Sequence, residues 1–409
     1  MTVAFDPAAV GFDPQDPVFL ADPYPVYARM RELGPILHYA ARDLFLVNRF
    51  ADVNACLRDR RLGREYRHRH TDDEFGRTGP DPRWQQFNAS EQWSLLNLEP
   101  PDHTRLRRLV SKVFTARSIG ALRPRIQALA ADRLRSAASP DFDLISTFAQ
   151  PFSIAVICTL LGVPPEDGPR LLAWSHAIVK MYEFTATDFE RQAANDAAGE
   201  FIGYVGALII ARRSKPEDDL ISELVLVADQ GDMLTPDEII CTVIVLLNAG
   251  HEATVNTLGN GMRAMFRHPE QWARVVAGEV SPTTALEEML RWDAPLQLFE
   301  RWVLEDGVQI GGRVFAVGER IGMMFGSANR DPDRFPDADA FDVARGDQAH
   351  IGFGGGLHFC LGAPLARLEL DIAVAALAAL PGLALLEAPA YQPYFVLRGL
   401  CALRLGAPG

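Results

Sequence analysis

The sequence predicts a mainly α-helical fold with small β-sheets, built as a single domain over residues 1–409, in which a smaller β-rich N-terminal portion joins an α-rich core. Three observations carry this prediction. Thr235-Pro236-Asp237-Glu238 is a helix start, with a threonine cap, proline at the first helical position and a glutamate three residues after the cap. No stop follows until His268-Pro269, so about 32 residues at 1.5 Å each would span roughly 48 Å. Second, short apolar and β-branched runs at Ile36-Leu37-His38-Tyr39, Leu44-Phe45-Leu46-Val47 and around Gly311-Gly312 read as strands and a hairpin. Third, no Gly/Ser-rich or Pro-rich tract, repeat or low-complexity segment divides the chain.

Composition narrows the function classes. The net charge is −13 and the basic residues are dispersed, which argues against a nucleic-acid partner. Cys56, Cys158, Cys241, Cys360 and Cys401 lie far apart with no paired spacing, so neither a disulfide framework nor a zinc site is indicated, and a reducing cytoplasm suits them. The N-terminus lacks a basic region followed by an apolar run, and no membrane anchor is expected.

In chain order, a Pro- and Asp-rich lead-in to about Asp22 precedes a helix from Pro23 to Leu33, with Tyr24, Tyr27, Met30 and Leu33 at helical spacing. Arg64 to about Gln92 is polar, carries Gly76, Gly79, Pro80 and Pro82, and reads as a long loop with Trp84, Phe87 and Trp93 as candidate substrate contacts or surface packing. Pro101 to Val110 opens a helix on which His103 and Arg107, four apart, share a face; alone, such a pair is a solvated stripe. Helical segments from Phe142 to Arg213 break at Pro164-Pro165 and at a polar stretch from Thr185 to Asp188. The long helix is apolar all round from Ile239 to Leu247, hence buried, and then turns abruptly to small residues and a carboxylate in Asn248-Ala249-Gly250-His251-Glu252-Ala253-Thr254. Leu286-Glu287-Glu288-Met289-Leu290-Arg291 places Glu288 and Arg291 three apart on one helix, a spacing common in weak surface pairs.

The most informative stretch is Phe353-Gly354-Gly355-Gly356-Leu357-His358-Phe359-Cys360-Leu361-Gly362. Consecutive glycines turn the chain sharply and leave bare amides near Cys360, and the helix that starts near Ala363-Pro364 points its N-terminus at the sulfur. Both features would lower the thiol pKa and favour a thiolate suited to iron. Alone, Cys360 reads as a buried free cysteine. The pattern F-G-x-G-x-H-x-C-x-G, however, resembles the haem-binding loop of the cytochrome P-450 family, and its six fixed positions coincide by chance on the order of once in ten million sites.

That resemblance extends from near residue 20 to the end and implies the family's triangular-prism fold, with haem b between a long distal helix and a proximal cysteine loop. It implies Cys360 as the axial thiolate, whose electron donation favours O–O cleavage. Cofactor contacts would come from Phe353, Gly354 and Gly362 in the loop and from His103, Arg107, Arg301 and His358 at the propionates, with Arg108, Lys112 and Arg105 on an outer basic face. Glu288, Arg291 and Arg345 would form a structural triad beneath the haem. Ala249, Gly250, Glu252 and Thr254 would belong to the oxygen-activating site. Val245, Asn248, Ala249, Gln297, Leu298 and Val396 would contact substrate, with Met181, Tyr182 and Phe184 as further candidates in the lid. The activity implied is that of a haem-thiolate monooxygenase inserting one atom of dioxygen into a small organic substrate. A monomer would receive electrons from NAD(P)H through a reductase and a ferredoxin or flavodoxin.

One position departs from the family pattern. Ala253 stands where the acid is normally followed by a hydroxyl, and Thr254 lies about 100° further round the helix. Ordered water, a substrate hydroxyl, or a reaction needing less proton delivery would each accommodate the change. The rivals are therefore an enzyme that uses peroxide or couples aromatic rings, and a haem-based binding or sensing protein.

Overall fold

Seven helices and one sheet position the site in the computed structural model, which describes residues 3–136, 141–229 and 234–406. The sheet has six strands in the order β1-β2-β3-β6-β5-β4, where β1 is Val3–Ala4, β2 Ile36–Tyr39, β3 Leu44–Val47, β4 Leu62–Gly63, β5 Leu298–Val303 and β6 Arg320–Met324. β2 and β3 pair antiparallel in the register Ile36↔Val47, and β3 continues parallel onto β6. Gly311 and Gly312 both adopt positive φ, 53° and 77°, which closes the two-residue hairpin between Val308–Ile310 and Arg313–Phe315.

The helices are α1 (Asp102–Val113), α2 (Gln150–Leu161), α3 (Gly168–Ile178), α4 (Asp188–Ser214), α5 (Pro236–Arg267), α6 (Pro282–Trp292) and α7 (Ala363–Ala378). α5 has 32 residues and begins with a reciprocal capping box between Thr235 and Glu238. Its apolar side chains enter one large core with residues of α2, α3, α4, α6 and α7. Leu144–Leu161 and Pro236–Arg267 are long and apolar enough to cross a membrane, but 61% and 67% of their apolar windows are buried inside the protein, which makes them core helices. Leu144–Leu161 carries no charge over 18 residues, so an uncharged run of near-spanning length does occur, inside the protein.

The expected loop from Arg64 to Gln92 is irregular only at first. Pro82–Trp84 forms a helical turn and Gln85–Glu91 an α-helix. The cause is tertiary: the Asn195 side-chain oxygen on α4 accepts the Gln86 and Phe87 amides at 2.9 and 3.2 Å, supplying the cap that the local sequence lacks.

Glu288 and Arg291 are fully buried rather than a surface pair. Arg291 Nε and Nη2 donate to the Glu288 carboxylate at 2.7 and 2.8 Å, and the remaining donors reach the carbonyls of Asn329, Ala338 and Ala340 at 2.8–3.1 Å. All five guanidinium N–H groups are thereby used. Arg345 Nε lies 3.3 Å from Glu288 Oε2. Removal of Glu288 would leave a buried cation uncompensated, so Glu288→Ala should cost about 3–5 kcal/mol in denaturant-unfolding experiments. A loss below about 1 kcal/mol, the value of an exposed pair, would contradict this reading.

Candidate active site

The loop before α7 is shaped by its glycines. Gly354 and Gly356 have φ of 68° and 62°, and a Cβ on Gly356 would stand 2.0 Å from the Leu57 carbonyl oxygen, so no other residue fits there. The Cys360 amide donates to the Phe353 carbonyl at 3.0 Å, and the Phe353 ring lies against Arg367, 4.5 Å from its guanidinium carbon. Gly362 takes an ordinary right-handed conformation as the N-cap of α7, where a Cβ would be 3.8 Å from Cys360 Sγ. Burial pushes the Cys360 thiol up, whereas the Gly362 and Ala363 amides and Arg107 pull it down. The loop amides and the arginines act downward, as expected, but desolvation outweighs them. A coordinated cation displaces such a proton outright.

Beside this loop lies an excess of buried positive charge. Arg107 Nη2 donates to the Phe359 carbonyl at 2.6 Å, and the His103 and His358 rings are 4.5 Å apart. His103 is fully buried, and neither ring nitrogen has a hydrogen-bond partner. Burial, aided by His358 and Arg107, pulls its pKa down to about 4. Arg301, 4% exposed, donates to the Glu300 carbonyl at 3.0 Å, and burial together with Arg64 lowers its pKa to about 9. Arg64 and Arg301 each place a guanidinium carbon 4.6 Å from the Phe299 ring centre, which softens their mutual repulsion. The carboxylate in the cluster is Glu99, 3.2 Å from His358 Nε2 and bonded to the Arg64 amide at 2.6 Å.

Orphaned imidazole nitrogens and underused guanidinium groups fit an anionic guest, and a thiol next to them fits an iron ligand. The two carboxylates and the iron of haem b satisfy both requirements. Arg64 and Glu99 were missed by the sequence reading. They lie in a polar run and before a Pro-Pro pair, with no local pattern linking them to Cys360. Arg105 belongs elsewhere, since it pairs with Glu238 at the start of α5, while Arg108 and Lys112 are exposed on α1.

On α5, Val245, Ala249 and Ala253 fall four residues apart on one flank. Ala249 is solvent-accessible although it sits mid-helix among buried neighbours, and Val245 and Ala253 are half-buried, so the helix borders an internal space along this flank. A Cβ on Gly250 would meet Ile157 of α2 at 3.4 Å. Asn248 is buried with an unpartnered side-chain oxygen. Glu252 is half-buried, 3.5 Å from Ser175 Oγ and 3.3 Å from His176 Nε2, and burial raises its pKa to about 7 against the Ser175 hydrogen bond.

Four expected positions differ. Thr254 lies about 140° round the helix from Ala249. Its hydroxyl donates to the Gly250 carbonyl at 2.8 Å, and it packs among Phe152, Ser153 and Glu369. Gln297 has its oxygen bonded to Tyr27 Oη at 2.8 Å and its nitrogen to the Ala294 carbonyl at 2.6 Å, so its amide is committed to the scaffold. Leu298 and Val396 are buried in a separate core with Phe12, Phe19 and Phe395. Their neighbours Leu296 and Leu397, bridged to each other, are the half-buried residues here. Val396 and Leu397 are adjacent, and alternation along an extended segment puts them on opposite faces, whereas Leu296 borders the same core as Leu298 and differs from it only in being half-buried. Among the lid candidates, Tyr182 Oη donates to Glu91 at 3.0 Å and Phe184 packs on Phe395.

The cytochrome P450 family model matches residues 67–277 and 283–378. Among curated proteins, the chain is 37% identical to cytochrome P450 monooxygenase PikC of Streptomyces venezuelae, covering 94% of this chain and 91% of the relative. It is also 37% identical to the vitamin D(3) 25-hydroxylase of Pseudonocardia autotrophica over 93% of each. Among solved structures, P450BioI in complex with an acyl carrier protein ligated to hexadec-9Z-enoic acid superposes with a TM-score of 0.89 at 32% identity, over 96% of this chain and 100% of that one. The family binds haem b through a cysteine thiolate. The match across nearly the whole chain, on a fold that buries unpaired cations beside a cysteine loop, makes this chain a member of the cytochrome P450 family and a monooxygenase.

Proposed function

We propose that the protein, working as one domain and as a monomer in the cytoplasm, inserts one oxygen atom from dioxygen into a small organic substrate, with electrons passed from NAD(P)H by a reductase and a ferredoxin. The observation that carries this reading is the orphaned His103 in a buried cationic cluster at the Cys360 loop. Bound haem supplies an iron centre that activates dioxygen under the push of the Cys360 thiolate. His103, Arg107, Arg301 and His358, joined by Arg64, hold its carboxylates, and Phe353, Gly354 and Gly362 shape the loop around the sulfur. Glu288, Arg291 and Arg345 hold that loop's foundation. Val245, Asn248 and Ala249 line the substrate's side of α5, and Leu296 and Leu397 face it in place of Gln297, Leu298 and Val396. Exposed Leu357 and Phe359, next to Cys360, offer an apolar landing place for the electron donor, with Arg108 and Lys112 as its basic rim.

Glu252 handles protons. With a pKa near 7 it both holds and releases one at neutral pH, and His176 connects it to solvent. Ala253 adds no donor, and Thr254 is turned away, so the final hydrogen bond comes from water or from the substrate's own hydroxyl. The same pair of residues favours a second reading in which peroxide replaces dioxygen and the electron donor, or aromatic rings are coupled. Turnover with NADH, ferredoxin, reductase and isotopically labelled dioxygen decides between them. One labelled atom in the product is expected, whereas product formed only from added hydrogen peroxide would contradict the first reading.

Two variants test the residue roles. Glu252→Gln should lower kcat by on the order of 100-fold at neutral pH. It should also remove a pH dependence of stability: with the folded pKa raised from 4.5 to about 7, the stabilisation is complete below 4.5 and is lost as pH rises through about 7. Melting curves of the two proteins that stay parallel from acid to neutral pH would oppose this. Ala253→Thr should raise the product formed per NADH consumed on a substrate lacking a hydroxyl near the iron, and Thr254→Val should leave that ratio unchanged. The reverse ranking would show that Thr254 serves the reaction.

A further inference from the structure

We propose a second, non-haem metal site between α3 and α5, formed by His176, His251 and Glu252 and suited to zinc. The donor atoms of these three side chains lie within 4.8 Å of one another. His176 Nε2 and Glu252 Oε1 are already 3.3 Å apart, the separation expected for two ligands at about 2.0–2.1 Å on a tetrahedral zinc. His251 supplies the independent observation. It is fully buried, neither ring nitrogen has a hydrogen-bond partner, and its ring centre is 5.9 Å from that of His176. A buried imidazole with two unused nitrogens is costly unless something occupies them.

The chemistry selects the ion. Two imidazoles and one carboxylate form a donor set for zinc, while magnesium and calcium prefer oxygen donors throughout. Both ring nitrogens of His251 are unpartnered and His176 Nε2 already approaches Glu252, so each imidazole has a nitrogen within reach of the other donors. Closing the widest donor gap to tetrahedral spacing takes a movement of about 1.5 Å. His176, 39% exposed on α3, can supply it and opens the site to solvent. A water completes the fourth position. Metal binding here would pin α3 to α5 and withdraw Glu252 from proton handling; that last consequence rests on the role proposed for Glu252, whereas the site does not.

The test is a calorimetric titration of zinc into the haem-loaded ferric protein after treatment with a chelator, which needs no turnover. One-to-one binding at micromolar zinc is expected, with affinity lower by on the order of 100-fold in His176→Ala and in His251→Asn. The carbon monoxide difference spectrum and melting temperature of each variant establish that it has folded. His176→Ala alters a half-exposed position and keeps the test decisive if His251→Asn fails to fold. Absence of one-to-one binding, or zinc affinity unchanged in His176→Ala, overturns the site.

Discussion

A guanidinium group with every donor satisfied underlies the architecture around the cysteine loop. Arg291 spends all five N–H groups on Glu288 and on three carbonyls between Asn329 and Ala340, so α6 and the irregular chain that leads into the loop move as one body. Next to it on α6, buried Glu287 accepts Arg367 of α7 at 2.6 Å and lies 2.9 Å from His350 Nε2. Burial alone would raise the Glu287 pKa, but His350 and Arg367 hold it down to about 2. Two adjacent carboxylates on one helix therefore hold the chain before and after Cys360, and the sulfur is fixed from both sides.

The opposite arrangement marks the site. Where Arg291 is saturated, His103 has no partner and Arg301 has little more than the Glu300 carbonyl. Protein interiors seldom leave such groups unsatisfied, because each costs the desolvation of a polar atom without a compensating bond. Beside the cysteine loop, a neutral imidazole without a partner sits among the charges of Arg64, Arg107 and Arg301, which the one carboxylate of Glu99 does not balance. Saturated buried charge serves as scaffold, and unsaturated buried charge prepares the place of an anionic cofactor. Glu99 limits the imbalance without removing it, because its carboxylate is shared with His358 and the Arg64 amide.

Much of the frame was legible because it depends on local signals. The cap and proline at Thr235-Pro236 and the stop at His268-Pro269 bound α5, and the glycines at 311 and 312 specify their turn by backbone conformation alone. The cysteine loop was readable for the same reason. Residues that act across the fold were not. Asn195 caps the Gln85–Glu91 helix from α4, Glu99 reaches His358 across 259 positions, and Gln297 turns to Tyr27 across 270. Each depends on which elements become neighbours, which periodicity does not encode. Substrate-facing residues fail differently: a strand shows its polarity pattern, but in a sheet buried on both faces the alternation disappears, and Leu298 cannot be told from Leu296.

The central claim is that Cys360, presented by the glycine loop and flanked by unpaired cations, is the iron ligand. The most direct measurement is the absorption difference spectrum of the reduced protein with carbon monoxide, recorded for the wild type and for Cys360→His. A strongly red-shifted thiolate Soret band in the wild type that gives way to the unshifted band of imidazole ligation in the variant is the predicted result. An unshifted band in the wild type, or a red-shifted one that survives the substitution, would contradict the account.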